Sequence, residues 1–205
     1  MLLSLALLLL TGHAPAPEDA HPAAQTQSDE YTRYELLGPE TAQFRVVYDV
    51  TATAAGAVHY FNPIPKGSEA SREPVIDRMS GDALKFEIVS AEEARRSGLA
   101  DAEADTQYIR VRLPRPVPAG GQVRLRIDKT YRDPASYLRE GDEIAFVRSL
   151  GIKRNTIVLP AGYELLRCNV PSQVVTEPGG RIAVSFVNSN PEAAALSIRA
   201  RRLPQ

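Results

Sequence analysis

The sequence predicts an all-β fold, an antiparallel β-sandwich of about ten short strands with one short helix near residues 91–98. Apolar and polar residues alternate with period two along most of the chain, as they do in strands that bury one face. The sixteen prolines and thirteen glycines imply many turns between short segments. Units of the βαβ type would need several long helical patterns, which the sequence lacks.

The clearest strand pattern covers residues 44–52, where Phe44, Val46 and Tyr48 alternate with polar side chains. This alternation predicts a long strand with one buried face. Further strands are predicted at residues 57–61, 108–113, 123–131, 144–148, 156–159, 163–170, 181–187 and 196–202.

A hairpin and a helix are predicted in the middle of the chain. Residues 75–79 and 84–88 flank a loop that contains Gly81, which favours a hairpin. Ser90 and Glu93 then have the spacing of a capping box, so a helix should begin after Ser90. Residues typical of a helix end follow closely: Arg95, Arg96 and Gly98.

Three segments are expected along the chain. Residues 1–25 form a signal-like apolar segment and the start of a tether, and residues 26–30 form the rest of the tether. The tether is rich in proline, alanine and polar residues, a composition typical of flexible chain. Residues 31–205 should form a single β-sandwich domain, large enough to bury a core without disulfides or a metal.

The N-terminal apolar run covers residues 2–10, the length of a signal-peptide core. As a helix it would span about 14 Å, roughly half of a bilayer's hydrocarbon core, so it cannot cross a membrane alone. No Lys or Arg precedes it, and Pro17 follows the best cleavage pattern, Ala14-Pro15-Ala16. We expect export to the periplasm or the extracellular space, with the segment either removed or retained. If it is retained, the residues that would anchor the domain peripherally in a membrane or a partner are Leu2, Leu3, Leu5, Leu7, Leu8, Leu9 and Leu10.

Charge and cysteine content narrow the functional classes. The formal net charge is −1, which gives no basic surface for nucleic acid, so no nucleic-acid partner is expected. The single cysteine, Cys168, excludes an internal disulfide. Period-two alternation places it on the same strand face as Leu166 and Val170, so we predict a buried structural thiol.

The sequence offers little catalytic chemistry. The folded body has one histidine, His59, and a hydrolytic triad would need it as the base. No G-x-S-x-G turn accompanies it, and a structural strand histidine is the alternative. Asp101, Glu103 and Asp105 space three carboxylates but lack the glycine and the later Glu of a calcium loop, so a solvated acidic loop is expected. We therefore predict no catalytic, cofactor-binding or metal-binding residues and no enzyme activity.

Two loops have compositions seen at protein–protein interfaces, although both could be ordinary polar connections between strands. Residues 131–142 combine aromatic side chains, arginine and both signs of charge, and residues 148–155 place apolar side chains beside cations. The candidate contact residues are Tyr131, Arg132, Tyr137, Arg139, Leu150, Ile152, Lys153 and Arg154.

The segments LPAGYEL (residues 159–165) and EPGGRIAVSFVN (residues 177–188) lie among the alternating strands. This strand rhythm resembles the all-β leading domains of some exported bacterial proteins, one of which is the N-terminal β domain of M1-type metallopeptidases. The resemblance implies a fold only. The zinc motif H-E-x-x-H of those enzymes is absent from this sequence, so no peptidase activity is implied.

These observations lead to a functional expectation with two alternatives. The first is a non-catalytic extracytoplasmic β-sandwich that acts as an accessory or structural subunit. It would dock to a membrane or a membrane-protein complex, such as an extrinsic subunit of an energy-converting assembly, through its apolar N-terminus and surface loops. The second is a freely soluble periplasmic or secreted binding module with a cleaved signal peptide. The third is an enzyme that uses His59.

Overall fold

The computed structural model describes residues 24–65, 69–70 and 74–204. Within them lie sixteen strands, one α-helix (α1, Ala91–Arg96) and a 3-10 turn at Pro39–Thr41. The strands are β1 (Gln27–Leu36), β2 (Gln43–Ala52), β3 (His59–Ile64), β4 (Glu69–Ala70), β5 (Val75–Asp77), β6 (Ala83–Leu84), β7 (Phe86–Ser90), β8 (Gln107–Arg112), β9 (Val123–Arg132), β10 (Tyr137–Glu140), β11 (Glu143–Leu150), β12 (Arg154–Val158), β13 (Tyr163–Cys168), β14 (Gln173–Thr176), β15 (Ile182–Val187) and β16 (Ala194–Arg202).

The strands form three sheets, which confirms the all-β, sandwich-like prediction. The main sheet has nine strands in the order β14-β15-β12-β1-β2-β9-β5-β6, with β4 also paired to β9. A four-stranded sheet has the order β10-β11-β16-β13, and a three-stranded sheet has the order β3-β8-β7. One core cluster includes Phe44 of the main sheet, Val111 of β8 and Phe146 of β11, so both small sheets contribute to the core of the main sheet.

One pairing departs from the antiparallel expectation. Strands β1 and β12 are parallel, with Tyr34 opposite Ile157. Most of the domain's sequence lies between the two strands, so no short turn fixes their relative direction. Alternation within a strand reports which face is buried and carries no information on the direction of its neighbour.

Strand β2 has a buried inner face and a polar outer face, as its sequence predicts. Phe44, Val46, Tyr48 and Val50 are buried on the inner face. The Phe146 ring of β11 packs against Phe44 with the ring centres 5.3 Å apart in an edge-to-face arrangement. Aromatic contacts of this type join the four-stranded sheet to the main sheet.

The outer face of the main sheet carries cross-strand ion pairs. Arg126 of β9 binds Asp49 of β2 through two bonds of 2.8 and 2.7 Å. Arg33 of β1 binds Glu177 beyond β14 through bonds of 2.6 and 2.8 Å. These pairs are partly exposed, so each contributes modestly to stability, and the bidentate geometry favours one strand register.

The predicted hairpin and helix are both present, with differences in extent. Val75 pairs with Leu84, but the chain then leaves the hairpin, and β7 joins the three-stranded sheet instead. Helix α1 begins after Ser90, whose hydroxyl accepts from the Glu93 N–H while the Glu93 carboxylate accepts from the Ser90 N–H. This reciprocal pair is the predicted capping box.

Two local features differ from the sequence prediction. Strand β1 begins at Gln27, earlier than the expected start of the folded body near Tyr31. Cys168 is half-buried and packs against the core together with Leu165, whereas Leu166 is exposed. A register irregularity between Leu165 and Arg167 shifts the alternation, so Cys168 and Leu166 do not share a face as predicted.

Removal of the Phe146 ring tests the contact between the sheets. The Phe146→Ala variant should lose about 3–5 kcal/mol of unfolding free energy, because the ring is fully buried among aromatic neighbours. Urea denaturation measures this loss. The matched control is Val147→Ala, the next residue on β11 and exposed, which should change stability by only about 0.5 kcal/mol. Equal losses in the two variants would contradict the described packing.

Candidate functional site

A cavity of about 260 Å³ with both polar and apolar walls lies where the three sheets meet. Its walls come from β1, β2 and β9 of the main sheet, from β3 of the three-stranded sheet and from Arg148 of β11. The surrounding core is apolar, so a concentration of polar groups at this junction marks it as the candidate site.

Lys129 is the central group of the cavity. It follows Leu125 and Ile127 on the inner face of β9, so the alternation of the strand turns it into the core. Only 6% of Lys129 is exposed, and its Nζ donates a hydrogen bond to Asn62 Oδ1 of β3. The Nζ lies 5.9 Å from the ring centre of Tyr48 and 5.3 Å from that of Tyr131. Burial, helped by the charge of Arg148, lowers the pKa of Lys129 to about 7.

Arg148 supplies a second cation on the cavity wall. Its Nη1 donates to Asp133 Oδ2 at 2.8 Å and to Ser136 Oγ at 3.3 Å, and its guanidinium lies 5.4 Å from the ring centre of Phe44. Burial alone would raise the pKa of Asp133, but hydrogen bonds from Ser136 and the charge of Arg148 outweigh burial and lower it. Arg148 is therefore held in place by an ionised carboxylate outside the cavity lining.

Two tyrosines and the first residues of β1 form another wall. The hydroxyls of Tyr48 and Tyr60 are 3.3 Å apart. Tyr60 donates to Gln27 Oε1 at 2.8 Å, and Tyr48 donates to Glu30. Burial raises the pKa of both tyrosines well above the ordinary value, so both hydroxyls stay protonated.

Two buried hydroxyls on the cavity wall lack partners. Thr32 Oγ1 and Tyr131 Oη are both inaccessible to solvent, and neither has a hydrogen-bond partner among the described residues. An unpaired buried hydroxyl costs about 1–3 kcal/mol. Each hydroxyl therefore has a donor that no described residue accepts from.

The predicted interaction loops are only partly at the surface. Tyr131, Tyr137 and Leu150 are buried and belong to the core, because the strands β9, β10 and β11 extend through these positions. The exposed members are Arg132, Arg139, Lys153 and Arg154, and Ile152 is half-buried beside the cavity. The four cations remain candidate contact residues.

Arg154 borders a shallow groove on the outer face of the main sheet. Gln173 of β14 and Val187 of β15 line the groove, and Val187 is 70% exposed. The edge strand β14 runs along one side of the groove, with Val174 49% and Val175 45% exposed. Such an exposed apolar edge is uncommon in an isolated sheet.

His59 lies in β3 and is half-buried. Its Nδ1 is buried and has no hydrogen-bond partner among the described residues. Burial and the charges of Arg110 and Arg112 lower the pKa of His59, which favours the neutral ring. A triad base needs an acidic group on this nitrogen to orient it, and no described residue supplies one to His59.

The predicted acidic loop lies outside the cavity. Asp101, Glu103 and Asp105 are exposed, and no group of three or more His, Cys, Asp or Glu within the described ranges could hold a metal ion. The anchor leucines at positions 2–10 lie outside the described residues. In the part of the chain that the structure describes, no helix has the length and apolar character needed to cross a bilayer.

The cavity was not predicted from the sequence, although one signal was present. In the strand LRIDKTY (residues 125–131), Lys129 lies on the same strand face as the apolar residues Leu125 and Ile127. A lysine on that face is a candidate buried amine. Its neighbours Asn62, Arg148 and Thr32 come from distant strands, and only the folded chain brings them together.

Comparisons with known proteins show similarity at the level of fold. No family model and no curated protein matches this chain. Among solved structures, the M1 zinc metallopeptidase from Deinococcus radiodurans has a TM-score of 0.54 at 12% identity, over 87% of this chain and 42% of that one. A mutant of that enzyme has the same TM-score at 13% identity. A two-domain M1 zinc metallopeptidase mutant bound to L-tryptophan matches over 43% of its length. This chain therefore spans less than half the length of these neighbours.

The buried amine should make stability depend on pH. Lys129 has a pKa of about 7 in the folded protein, whereas an unfolded lysine titrates near 10.4. Between these values the unfolded chain binds more protons, so the free energy of unfolding should rise with pH by up to about 1.4 kcal/mol per unit. Urea denaturation at several pH values between about 7 and 10 measures the slope.

Matched lysine variants isolate this effect. Lys129→Met should remove the rise in stability with pH, because methionine does not titrate. The control Lys153→Met, at an exposed lysine, should retain the rise. If Lys129→Met kept the wild-type slope, another group would be its source.

Proposed function

We propose that the protein is a non-catalytic extracytoplasmic β-sandwich that acts as an accessory or structural subunit and docks to a membrane-protein complex or a membrane. The observation that carries this proposal is the uncovered apolar edge formed by β14 and the adjoining groove. The docking surface is defined here as Arg154, Gln173, Val174, Val175 and Val187.

The docking surface has the features of a protein contact rather than of a solvated edge. Within the described residues, β14 pairs with β15 alone, so its other side presents free backbone donors and acceptors. Its two valines replace the charges that commonly protect an edge. A partner strand added at this edge would gain backbone hydrogen bonds, and the groove would receive its side chains. Arg154 would favour an acidic group on the partner.

The N-terminal segment is the second contact in this proposal. Gln25 is fastened to β3, where its amide donates to the Phe61 carbonyl at 3.0 Å and accepts from the Phe61 N–H at 2.8 Å. A retained leucine run ahead of this fixed point would bind a lipid leaflet or partner helices, while the docking surface contacts protein. Two linked weak contacts give much greater affinity than either alone.

Deletion of residues 2–10, with export supplied by a replaceable signal, tests the anchor. The wild-type chain should sediment with native membranes, and the deleted form should move to the soluble fraction because it loses its apolar contact. Liposomes of the same lipids distinguish the two sources: binding to them indicates a lipid anchor, whereas binding to native membranes alone indicates a protein partner. Unchanged sedimentation of the deleted form would contradict anchoring.

Substitution of Val187 tests the docking surface. Val187→Glu should release the protein from native membranes at lower salt than the wild type, because a carboxylate opposite Arg154 weakens the apolar contact and repels an acidic group on the partner. The control is Val58→Glu, at an exposed valine outside the docking surface, which should sediment as the wild type does. Equal release of the two variants would argue against this surface.

The second candidate is a freely soluble binding module, and the Lys129 cavity favours it. In that case the signal would be removed. The intact mass of the native protein distinguishes the two functions, since a start near Gln25 would support the soluble module and a retained leucine run would support docking.

A further inference from the structure

We infer that the cavity around Lys129 is a binding site for a small organic anion, a monocarboxylate with a short apolar body. This site goes beyond the proposed docking function. The cavity lies on the inner face of the main sheet and the docking surface includes the outer groove, so either proposal can fail without the other.

The charges of the cavity call for an anion. Lys129 and Arg148 both line it. Asp133 neutralises Arg148 from outside the lining, and the group bonded to Lys129 is the neutral amide of Asn62. Among the described residues that line the cavity, Glu30 is the one carboxylate, and it is already bound by Tyr48 and by Gln27, whose Nε2 lies 2.8 Å from it. The ammonium form of Lys129 is thus buried with no described carboxylate bonded to it, a situation that proteins normally avoid.

The unpaired hydroxyls supply the second half of a carboxylate site. Thr32 and Tyr131 are each 2% exposed, and their hydroxyl oxygens have no hydrogen-bond partner in the described ranges. Tyr131 is on the same strand face as Lys129, and its ring lies beside the ammonium group. A carboxylate could therefore bind Lys129 through one oxygen and accept from a hydroxyl through the other. Charge-assisted bonds of this kind are stronger than neutral ones.

The size and the walls of the cavity define the rest of the ligand. Apolar surface comes from Val46, Phe61 and the ring of Tyr34. The volume of about 260 Å³ exceeds the roughly 150 Å³ of an apolar cavity that accepts benzene. The site should accept butyrate or benzoate and should have no room for a peptide or a long acyl chain.

Occupation of the site should change the protonation of Lys129. A bound anion favours the charged amine, so binding above about pH 7 should take up protons from solution. The charged and titratable groups that face Lys129 or line the same cavity are Glu30, Tyr34, Tyr48, Tyr60, Tyr131 and Arg148. The tyrosine pKa values are raised, so these hydroxyls remain neutral in the range where Lys129 titrates.

Titration calorimetry of the full chain with benzoate and with benzamide tests the proposal. The two probes have nearly the same shape and differ in charge. Benzoate should bind at least about tenfold more tightly than benzamide, because only benzoate can pair with the ammonium group. Butyrate and octanoate then test the size limit, because only butyrate should fit the cavity whole. Equal affinity for benzoate and benzamide would show a merely apolar cavity, and absence of binding by all of these probes would overturn the proposal.

Variants assign the binding to the named groups. Lys129→Met should lose the preference for benzoate, whereas Lys153→Met should keep it. Thr32→Val and Tyr131→Phe remove single hydroxyls with little change of shape, and each should weaken benzoate about threefold to tenfold. They keep the proposal testable if Lys129→Met does not fold. Unchanged benzoate binding in both hydroxyl variants would exclude the geometry described.

Proton uptake distinguishes recognition by Lys129 from general electrostatic attraction. At about pH 8, benzoate titrations in two buffers of different ionisation enthalpy should show uptake of a fraction of a proton in the wild type. Lys129→Met should show none. Binding without proton uptake in the wild type would place the anion elsewhere on the protein and refute the assignment.

Discussion

The fold depends on the contact between Phe44 of the main sheet and Phe146 of the four-stranded sheet. The two rings meet edge to face with their centres 5.3 Å apart. Because side chains alternate along a strand, an inward Phe44 also fixes Tyr48 inward and Arg45 and Asp49 outward. A slip of one residue would exchange the two faces and bury the charges. The same contact therefore determines which side chains of β2 enter the core and the cavity wall and which form the outer ion pairs.

The cavity forms because two small sheets, rather than one continuous sheet, cover the inner face of the main sheet. Lys129 lies where both small sheets meet the main sheet. Replacement of a buried charge by an apolar side chain commonly raises stability. A buried lysine in the same cavity as two hydroxyls that pair with no described residue is thus costly for folding, and the cost has a physical reason if the three groups bind a ligand.

The two faces of the main sheet differ in character. The inner face borders the Lys129 cavity, while the outer face carries cross-strand ion pairs and the exposed Val187, next to the apolar edge strand β14. The ion pair between Arg33 and Glu177 fastens the turn after β14 to β1. It therefore links the end of the edge strand to the centre of the sheet and leaves Val174 and Val175 exposed.

Alternation and turn chemistry determined much of the fold from the sequence alone: the strand at Phe44, the capping box at Ser90 and Glu93, and the hairpin loop that contains Gly81. Each depends on residues close together in the chain. The tertiary structure decided the parallel pairing of β1 with β12, the bulge that turns Cys168 toward the core, and the burial of Tyr131 and Tyr137. The sequence likewise shows that Lys129 shares a strand face with apolar residues. Its proximity to Asn62, Thr32 and Arg148, however, depends on strand order. Strand order is set by packing between distant segments, and no local pattern encodes it.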